Sequence, residues 1–309
     1  MKKGKALVFG SFVVDLMGRA PHLPVPAETV KGSMFKMGPG GKGFNQCVAA
    51  HKAGADVAFV TKVGRDSFSH VLLDTMEELG IPKDQILFSE DAETGIALIL
   101  VDENTSQNAI LIVPGACNTI TEEEILGIEE AIGQSEYLLL QLEVNQDANE
   151  RVMDIAKRYD CKVIVNTAPY APVTDAFLSK AYMVTPNEVE AEELTGIPVT
   201  DLESAKRAAV WFKERGVEVV VITMGSKGVF ISEGGREEIL PAFSVKAIDT
   251  TGAGDAFNGG LLTGLCEGKD VWEAAQFASA LAALSVQKLG TTPSMPMREE
   301  IDAFLEAQK

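Results

Sequence analysis

Short apolar runs alternate with amphipathic stretches over the first 223 residues of the chain. Six runs have the length and composition of buried strands: 6–10, 57–60, 137–142, 162–165, 182–185 and 217–223. Six stretches between them repeat apolar residues at helical spacing: 44–53, 67–79, 122–131, 149–158, 187–194 and 202–215. This alternation predicts an α/β fold with a mostly parallel, doubly wound sheet, in which ligands bind beyond the carboxyl ends of the strands.

Two segments interrupt the alternation and predict a small β-sheet lid. Residues 17–37 hold four Pro or Gly in their first half, and residues 94–113 have the pattern of a hairpin with strands 95–102 and 108–113. Beyond Thr223 the pattern predicts another hairpin and then three helices: 228–232, 238–241, 253–267, 271–288 and 297–307. We therefore expect a single domain over residues 1–309, with lid segments at about 12–37 and 94–113.

The net charge of −18 narrows the range of partners. It repels phosphodiester backbones and anionic lipids, so we expect neither nucleic acid nor a membrane as a partner, and an anionic substrate needs a locally positive site. The apolar run near the start is too short for a secretory signal or a membrane span, which favours a cytoplasmic protein. The four cysteines form no CxxC pair, so neither a disulfide framework nor a zinc site is predicted.

The first candidate for chemistry is the glycine cluster GPGGKGFNQ at 38–46, which leads into a predicted helix. Glycine lets a backbone approach a ligand closely, and a helix start presents free amide groups. The cluster satisfies GxGxxG, but a dinucleotide site needs a strand just before it and an acid about 20 residues later, whereas Asp56 comes too early. A P-loop is excluded because Gly43 follows Lys42 where Ser or Thr is required. A tight turn without a ligand stays an alternative.

A second glycine cluster, DTTGAGDAFNGG at 249–260, opens another predicted helix. The amides of Gly252, Ala253 and Gly254 would point out of the helix start and hold an anion, helped by the helix dipole. Asp255 would repel a bound phosphate unless it faces the attacking hydroxyl and accepts its proton. The alternative is an ordinary acid in the first turn of a helix.

Together, GGKGFNQ at 40–46 and DTTGAGDAFNGG at 249–260 resemble the two signatures of the PfkB carbohydrate kinases, and of the ribokinase-like branch within them. The resemblance covers essentially the whole chain. It implies a three-layer αβα sandwich with a β lid over the sugar, and ATP-dependent phosphorylation of the primary 5-hydroxyl of a pentose, D-ribose or 2-deoxy-D-ribose. Fructokinase, nucleoside kinase and other sugar kinases of this fold stay open, as does a non-catalytic sugar-binding protein.

The same resemblance implies a role for each group of residues. Asp255 would be the base, and the amides of Gly252, Ala253 and Gly254 would form the anion hole. The sugar would be held by residues near the lid, with Glu143 at the pocket edge: Asp15, Gly41, Lys42, Gly43 and Asn45. ATP would be bound by residues from four segments: Asn187, Thr223, Gly225, Ser226, Gly228, Gly254 and Ser279.

Two metal ions and a homodimer are implied in the same way. Glu190 would place Mg²⁺ through water, and K⁺ would lie beside the anion hole, held mostly by backbone carbonyls of six residues: Asp249, Thr251, Ser285, Lys288, Gly290 and Ser294. Judged by residue type alone, Lys42 could equally be a lysine on the surface. Glu143 and Glu190 could likewise be exposed acids without a role in the site. Because lids of this family often pair, we expect a homodimer, with the apolar run 96–100 either at that contact or over the sugar.

Two positions depart from the family pattern. Val13 stands two residues before Asp15, where ribokinases carry an asparagine that contacts the ribose hydroxyls. Valine cannot hydrogen-bond a hydroxyl, and the deoxyribokinase branch is also apolar there, so Val13 favours 2-deoxy-D-ribose; simple strand packing is the alternative. Phe44 replaces a small residue, and its ring either narrows the pocket or packs under the helix.

Overall fold

The computed structural model describes residues 4–105 and 107–308. Within these residues lie thirteen strands: β1 Lys5–Phe9, β2 Val13–Ala20, β3 Met34–Gly40, β4 Asp56–Gly64, β5 Ile86–Ser89, β6 Thr94–Asp102, β7 Asn108–Gly115, β8 Tyr137–Leu140, β9 Lys162–Val165, β10 Met183–Val184, β11 Val219–Thr223, β12 Val229–Glu233 and β13 Arg236–Leu240.

Eleven α-helices occur in the same described ranges: α1 Lys42–Lys52, α2 Ser69–Leu79, α3 Glu122–Gly127, α4 Glu129–Gly133, α5 Gln146–Arg158, α6 Asp175–Leu178, α7 Glu188–Thr195, α8 Leu202–Lys213, α9 Ala253–Cys266, α10 Val271–Ser285 and α11 Arg298–Ala307. Short 3-10 turns are found at Ala116–Asn118, Gly225–Lys227 and Thr292–Ser294. None of the helices so described is long and apolar enough to cross a bilayer.

Nine strands form the main sheet in the order β13-β12-β11-β10-β9-β8-β1-β4-β5. The seven strands from β11 to β5 are parallel, and β12 and β13 extend the sheet antiparallel at one edge. The central strands read KALVF and YLLL, which is the continuous apolar composition of strands covered on both faces. Their carboxyl ends meet at one edge, where Phe9 pairs with both Val60 and Leu140.

Helices cover both faces of this sheet and make three layers. Ala6 and Val8 of β1 belong to one apolar cluster, which also includes residues of α1, α9 and α10. Leu7 and Phe9 belong to a second cluster, with residues of α5 and α8. Since alternate residues of a strand point to opposite faces, the two clusters lie on the two sides of the sheet. The predicted αβα sandwich is confirmed.

Helix α9 packs unusually close to its neighbours because of its glycines. A Cβ at Gly259 would lie 2.5 Å from the Cβ of Ala49 in α1 and 2.7 Å from the carbonyl oxygen of Gln46. A Cβ at Gly260 would lie 2.8 Å from the Cα of Ala278 in α10. Real Cβ atoms do not approach so closely, so any larger residue would force these helices apart.

Four strands form a separate, smaller sheet in the order β3-β2-β6-β7, which we call the lid sheet. β2 pairs with β3 antiparallel and with β6 in parallel, and β7 closes the sheet antiparallel to β6. Asp15 lies opposite Gly38 on one side and Ala97 on the other. Large apolar residues of this sheet are exposed to solvent: Met34, Phe35, Met37, Leu98, Leu100, Ile110, Leu111, Ile112 and Val113.

The predicted elements agree with the structure except in short pieces. The predicted helix 122–131 is two helices, because Ile128 leaves helical geometry between α3 and α4. Strands β2, β3 and β5 and the four-residue helix α6 were not predicted as elements. β2 lies beside a segment rich in Pro and Gly, and its pairing is with residues about 20 and 80 positions away, which a local pattern does not reveal.

Candidate active site

A cavity of about 160 Å³ lies beyond the carboxyl ends of the parallel strands. Residues at or just beyond the ends of β9, β10 and β11 line one side of it, among them Asn166, Asn187 and Thr223. The starts of α1 and α9 line the other side and contribute Lys42, Thr250, Asn258 and the run from Gly252 to Asp255. The two glycine clusters, about 210 residues apart in sequence, therefore meet at one cavity.

The start of α9 is built to receive an anion. Gly252 caps the helix in the left-handed region, with φ of 78°, which suits glycine far better than other residues. Gly254 lies in the first turn, and a Cβ built there would meet no atom within 4 Å, so its backbone is open to the cavity. Free amides at a helix start carry partial positive charge. These groups fit a phosphoryl group at this position.

Asp255 is buried at the back of this cavity, with 6% of its surface exposed. Asn45 donates its Nδ2 hydrogen to Oδ2 of Asp255 at 3.0 Å, and Gln46 donates its Nε2 hydrogen to Oδ1 at 3.0 Å. Burial raises the pKa of this carboxyl, while the nearby Lys42 ammonium and the two amide donors oppose the rise. The carboxyl group of Asp255 is thus held in a fixed orientation, which a proton acceptor requires.

The first glycine cluster forms the turn between β3 and α1. Gly41 has φ of 90°, and a Cβ at Gly43 would lie 2.7 Å from the carbonyl carbon of Gly10. Glu143 holds this turn, because its Oε2 accepts a hydrogen bond from the backbone amide of Lys42 at 2.9 Å and another from the hydroxyl of Ser11. Glu143 is therefore tied to the turn. The alternative of an exposed acid does not hold for this residue.

Acidic groups surround the single ammonium of Lys42 in this part of the site. Burial, followed by the charges of Glu143 and Asp255, raises the pKa of Asp15 from 3.8 to about 6. Burial lowers the pKa of Lys42, but the charges of Asp255, Glu143 and Glu190 outweigh it and leave that pKa above its ordinary value. Lys42 lines the cavity as a cation, so it is not a lysine of the open surface.

Asn187 and Glu190 hold each other at the start of α7. The side chain of Asn187 accepts from the amide of Glu190 at 2.8 Å, and that of Glu190 accepts from the amide of Asn187 at 2.9 Å, which is a capping box. Both residues line the cavity, and burial raises the pKa of Glu190. A carboxylate and an amide oxygen facing a phosphate-sized cavity are suitable partners for hydrated Mg²⁺.

The other residues predicted for ATP, Gly225, Ser226, Gly228 and Ser279, are not among those that line this cavity. Gly225 and Ser226 form a 3-10 turn after β11, and a Cβ at Gly228 would lie 1.9 Å from the carbonyl oxygen of Leu240. Ser279 lies in a second cavity, of about 320 Å³, and does not line the first one with Thr223. Phe243, Trp272 and Gln276 line the second cavity together with Ser279.

Asp249 connects the two segments in which the predicted cation site falls. Its Oδ1 accepts from the amide of Thr251 at 2.9 Å and its Oδ2 from the amide of Gly290 at 2.9 Å. Ser285 and Ser294, on either side of Gly290 in the sequence, are buried. The side chain of Lys288 forms an ion pair with Glu300. The described residues contain no group of three or more His, Cys, Asp or Glu side chains suited to a metal.

The two departures from the family pattern have different surroundings. Val13 is buried, lies on the same face of β2 as Asp15 and packs against Gly95, where a Cβ would be 2.9 Å from its Cγ1. Phe44 is fully buried and its ring contacts Phe12 and Phe59, with both centroids 5.5 Å away. The ring of Phe44 therefore packs under α1 and does not narrow the pocket.

Several buried polar residues of the site had no predicted role. Gln46 bonds Asp255, Asn166 and Gln141; Thr185 donates to Asn258; and Asn258 donates to the carbonyl oxygen of Gly254. Gln46 belongs to the GGKGFNQ cluster, and a polar residue in the buried start of a helix was the available signal. Asn166 and Thr185 gave no such signal, because their neighbours come from distant segments.

Comparison with known proteins gives one consistent result. The family model for pfkB family carbohydrate kinase matches residues 3–298. A ribokinase of Haemophilus influenzae is 42% identical over 299 residues, which is 97% of each chain, and a deoxyribokinase of Salmonella typhi is 36% identical over 96% of this chain and 97% of its own. The solved ribokinase of Arabidopsis thaliana, complexed with ribose and ATP, superposes with a TM-score of 0.91 at 28% identity over 99% of both chains.

Proposed function

Because the chain belongs to the pfkB family of carbohydrate kinases, we propose that it transfers the γ-phosphate of ATP to the primary 5-hydroxyl of D-ribose or 2-deoxy-D-ribose. One observation carries the proposal: a buried, doubly hydrogen-bonded Asp255 shares a cavity with the open backbone at Gly254 and with Lys42. Relatives named ribokinase and deoxyribokinase support the choice of a pentose.

Asp255 would take the proton of the sugar hydroxyl as the hydroxyl attacks phosphorus. Its carboxyl is buried and aimed by Asn45 and Gln46, so little reorganisation is needed before the reaction. The ammonium of Lys42 opposes the rise in the pKa of Asp255 that burial causes. A positioned base of this kind accelerates a reaction by about 10²–10⁴-fold.

The negative charge of the transferring phosphoryl group would be balanced by the start of α9 and by Lys42. The amides of Gly252 and Gly254 would donate to its oxygens, and that of Ala253 would join them by exchanging its bond to the carbonyl oxygen of Thr250, 3.2 Å away. One such preorganised donor is typically worth about 3 kcal/mol. Asn187 would contact the phosphates of ATP, and Glu190 would place Mg²⁺ through water, which supplies further charge neutralisation on those phosphates. Gly225, Ser226, Gly228 and Ser279 would hold the rest of the nucleotide.

The sugar would lie between the lid sheet and the first glycine cluster. Asp15, Asn45 and the backbone from Gly41 to Gly43 would take its hydroxyls, and Glu143 would keep the turn in place through the amide of Lys42. Val13 would offer an apolar surface on the face of Asp15. That surface favours a sugar lacking one hydroxyl, so 2-deoxy-D-ribose is the second candidate substrate.

The remaining elements of the proposal concern the cation, the assembly and the location. K⁺ would bind the carbonyls of the two segments that Asp249 connects, 249–251 and 285–294, and would hold the anion hole in shape. Residues 1–309 would act as one kinase domain with the lid inserted. The exposed apolar residues of the lid sheet would pair two copies into a homodimer. The reaction would take place in the cytoplasm.

An ADP-release assay tests the proposal directly. The protein would be given ATP and Mg²⁺ with ribose, 2-deoxyribose, fructose or a nucleoside, each with and without K⁺. We expect turnover with a pentose and stimulation by K⁺. Turnover with fructose or a nucleoside but not with a pentose would show that the proposed substrate is wrong. Absence of turnover with every acceptor would support a sugar-binding protein instead.

A further inference from the structure

We infer that Gln46 is a positioning residue for Asp255, which anchors the Oδ1 atom of that carboxylate and leaves Oδ2 to take the hydroxyl proton. The inference rests on the proposed kinase reaction and deepens it. Gln46 is fully buried in the first turns of α1, and none of the roles assigned above to the sugar, the nucleotide or the metal ions includes it.

The orientation of the Gln46 amide follows from its partners. The carbonyl oxygen of Thr185 can only accept, so Asn166 must present its Nδ2 there, at 2.8 Å, and its Oδ1 is left to face Gln46 at 3.0 Å. Gln141 donates its Nε2 hydrogen to Oε1 of Gln46 at 2.6 Å. Gln46 therefore presents both Nε2 hydrogens to acceptors, one to Asn166 and one to Oδ1 of Asp255.

This arrangement distinguishes the two oxygens of the carboxylate. Oδ1 faces the Nε2 group of Gln46. This amide cannot reverse its orientation, because Gln141 donates to its oxygen and Asn166 accepts from its nitrogen. A proton on Oδ1 would oppose an N–H hydrogen, which is unfavourable in a buried site. Oδ2 accepts from Asn45, whose Oδ1 meets the hydroxyl of Thr292 at 3.2 Å; a hydroxyl can donate as well as accept, so the amide of Asn45 is able to turn. The proton of the attacking hydroxyl is therefore received by Oδ2.

The chain makes room for this network at a distance. A Cβ at Gly10 would lie 1.9 Å from Oε1 of Gln141, so glycine is required there for Gln141 to reach Gln46. The backbone oxygen of Gln141 in turn accepts from Nδ2 of Asn149 in α5 at 2.9 Å. Gln46 is thereby connected through Gln141 to the end of β8 and to α5, and its position does not depend on a ligand.

Other charges also act on Asp255 and must stay constant in a test. Lys42 from α1 stabilises its ionised form, while Asp15 from β2, Glu143 from the segment after β8 and Glu190 from α7 oppose it. Substituting Gln46 by methionine leaves all four unchanged and keeps a similar volume. Gln134→Met, on the surface at the end of α4, is the matched control.

Two measurements on Gln46→Met test the inference. In the free protein, the carboxyl carbon of Asp255, assigned with Asp255→Asn, is titrated by ¹³C NMR; we expect its midpoint to rise by about one pH unit, because a donor to the ionised form is lost. In the kinase assay we expect kcat at neutral pH to fall tenfold or more, an acid limb displaced to higher pH, and KM values for sugar and ATP within twofold of the wild type.

An unmoved NMR midpoint, or a lower kcat with both KM values raised and the acid limb in place, would show that Gln46 only fills space. If Gln46→Met does not fold, the midpoint is measured in Gln141→Met, where we expect it to rise by a smaller amount. An unchanged midpoint in Gln141→Met would overturn the inference. The NMR result does not require turnover. An inactive wild type would therefore refute the proposed function without deciding the role of Gln46.

Discussion

Replacing Asp15 by asparagine is expected to stabilise the protein at neutral pH while weakening its binding of the sugar. Asp15 lies in strand β2 of the lid sheet, where burial and the charges of Glu143 and Asp255 raise its pKa from 3.8 to about 6. The ionised carboxylate is therefore less favourable in the folded protein than in the unfolded chain. Such a conflict is common at sites kept for function at the expense of stability.

The size of the effect follows from the pKa values. A rise from 3.8 to about 6 corresponds to about 3 kcal/mol, at 1.36 kcal/mol per pKa unit. Because the pKa is higher in the folded state, the folded protein binds more protons than the unfolded chain between about pH 4 and pH 6. Its free energy of unfolding therefore falls as the pH rises through that window, and the full loss is present above about pH 6. The Asp15→Asn variant would avoid this loss.

Urea unfolding between about pH 4 and pH 8 measures the effect. We expect Asp15→Asn to exceed the wild type by about 1–3 kcal/mol at pH 7.5 and to lose that advantage towards pH 4. Asp74→Asn, an exposed carboxylate of α2, is the control and should change little. The KM for the sugar should rise about tenfold to hundredfold, since a charged hydrogen-bond acceptor is lost. A stability difference that is equal at every pH would refute the reasoning.

Three further results are expected. Asp255→Asn should lower kcat by about 10²–10⁴-fold with little change in ATP affinity by calorimetry, and substantial residual turnover would exclude it as the base. Val13→Asn should raise the kcat/KM ratio of ribose to 2-deoxyribose by about tenfold, and an unchanged ratio would contradict the selectivity argument. Burial raises the pKa of Cys117, Cys161 and Cys266 to about 12, and raises that of Cys47 still further, so native thiols should react slowly with a disulfide reagent at pH 8, whereas four should react at once in urea.

The fold of the large sheet could be predicted because its strands are continuous apolar runs. Strands such as β8, which reads YLLL, indicate their burial on both faces by composition alone. The lid was predictable as a small β sheet from its hairpin at 94–113, but the individual strand β2 was not, because β2 depends on pairing with β6, about 80 residues later. Likewise the break at Ile128 is a matter of backbone geometry that an apolar pattern does not reveal.

The site was predictable where glycine and charge mark it. Gly254 and Asp255 belong to a glycine-rich cluster whose composition is not typical of a helix, and the structure places both residues at the cavity. Gln46 and Asn166 were not predictable in the same way, since a buried amide is defined by its partners and those come from separate strands. The sequence allowed the ring of Phe44 to lie either in the pocket or under the helix. Its contacts with Phe12 and Phe59 show that it lies under the helix.

The contact between α1 and α9 gives the core a direct influence on the chemistry. Gly259 lies one turn beyond Asp255 and packs against α1 at the carbonyl of Gln46, so this one contact sets the separation of the two helix starts. A single methyl group at 259 would push apart the base and the amides that aim it, without entering the cavity. The second glycine cluster therefore has two halves with different tasks: residues 252–254 leave space for a ligand, and residues 259 and 260 leave space for the protein itself.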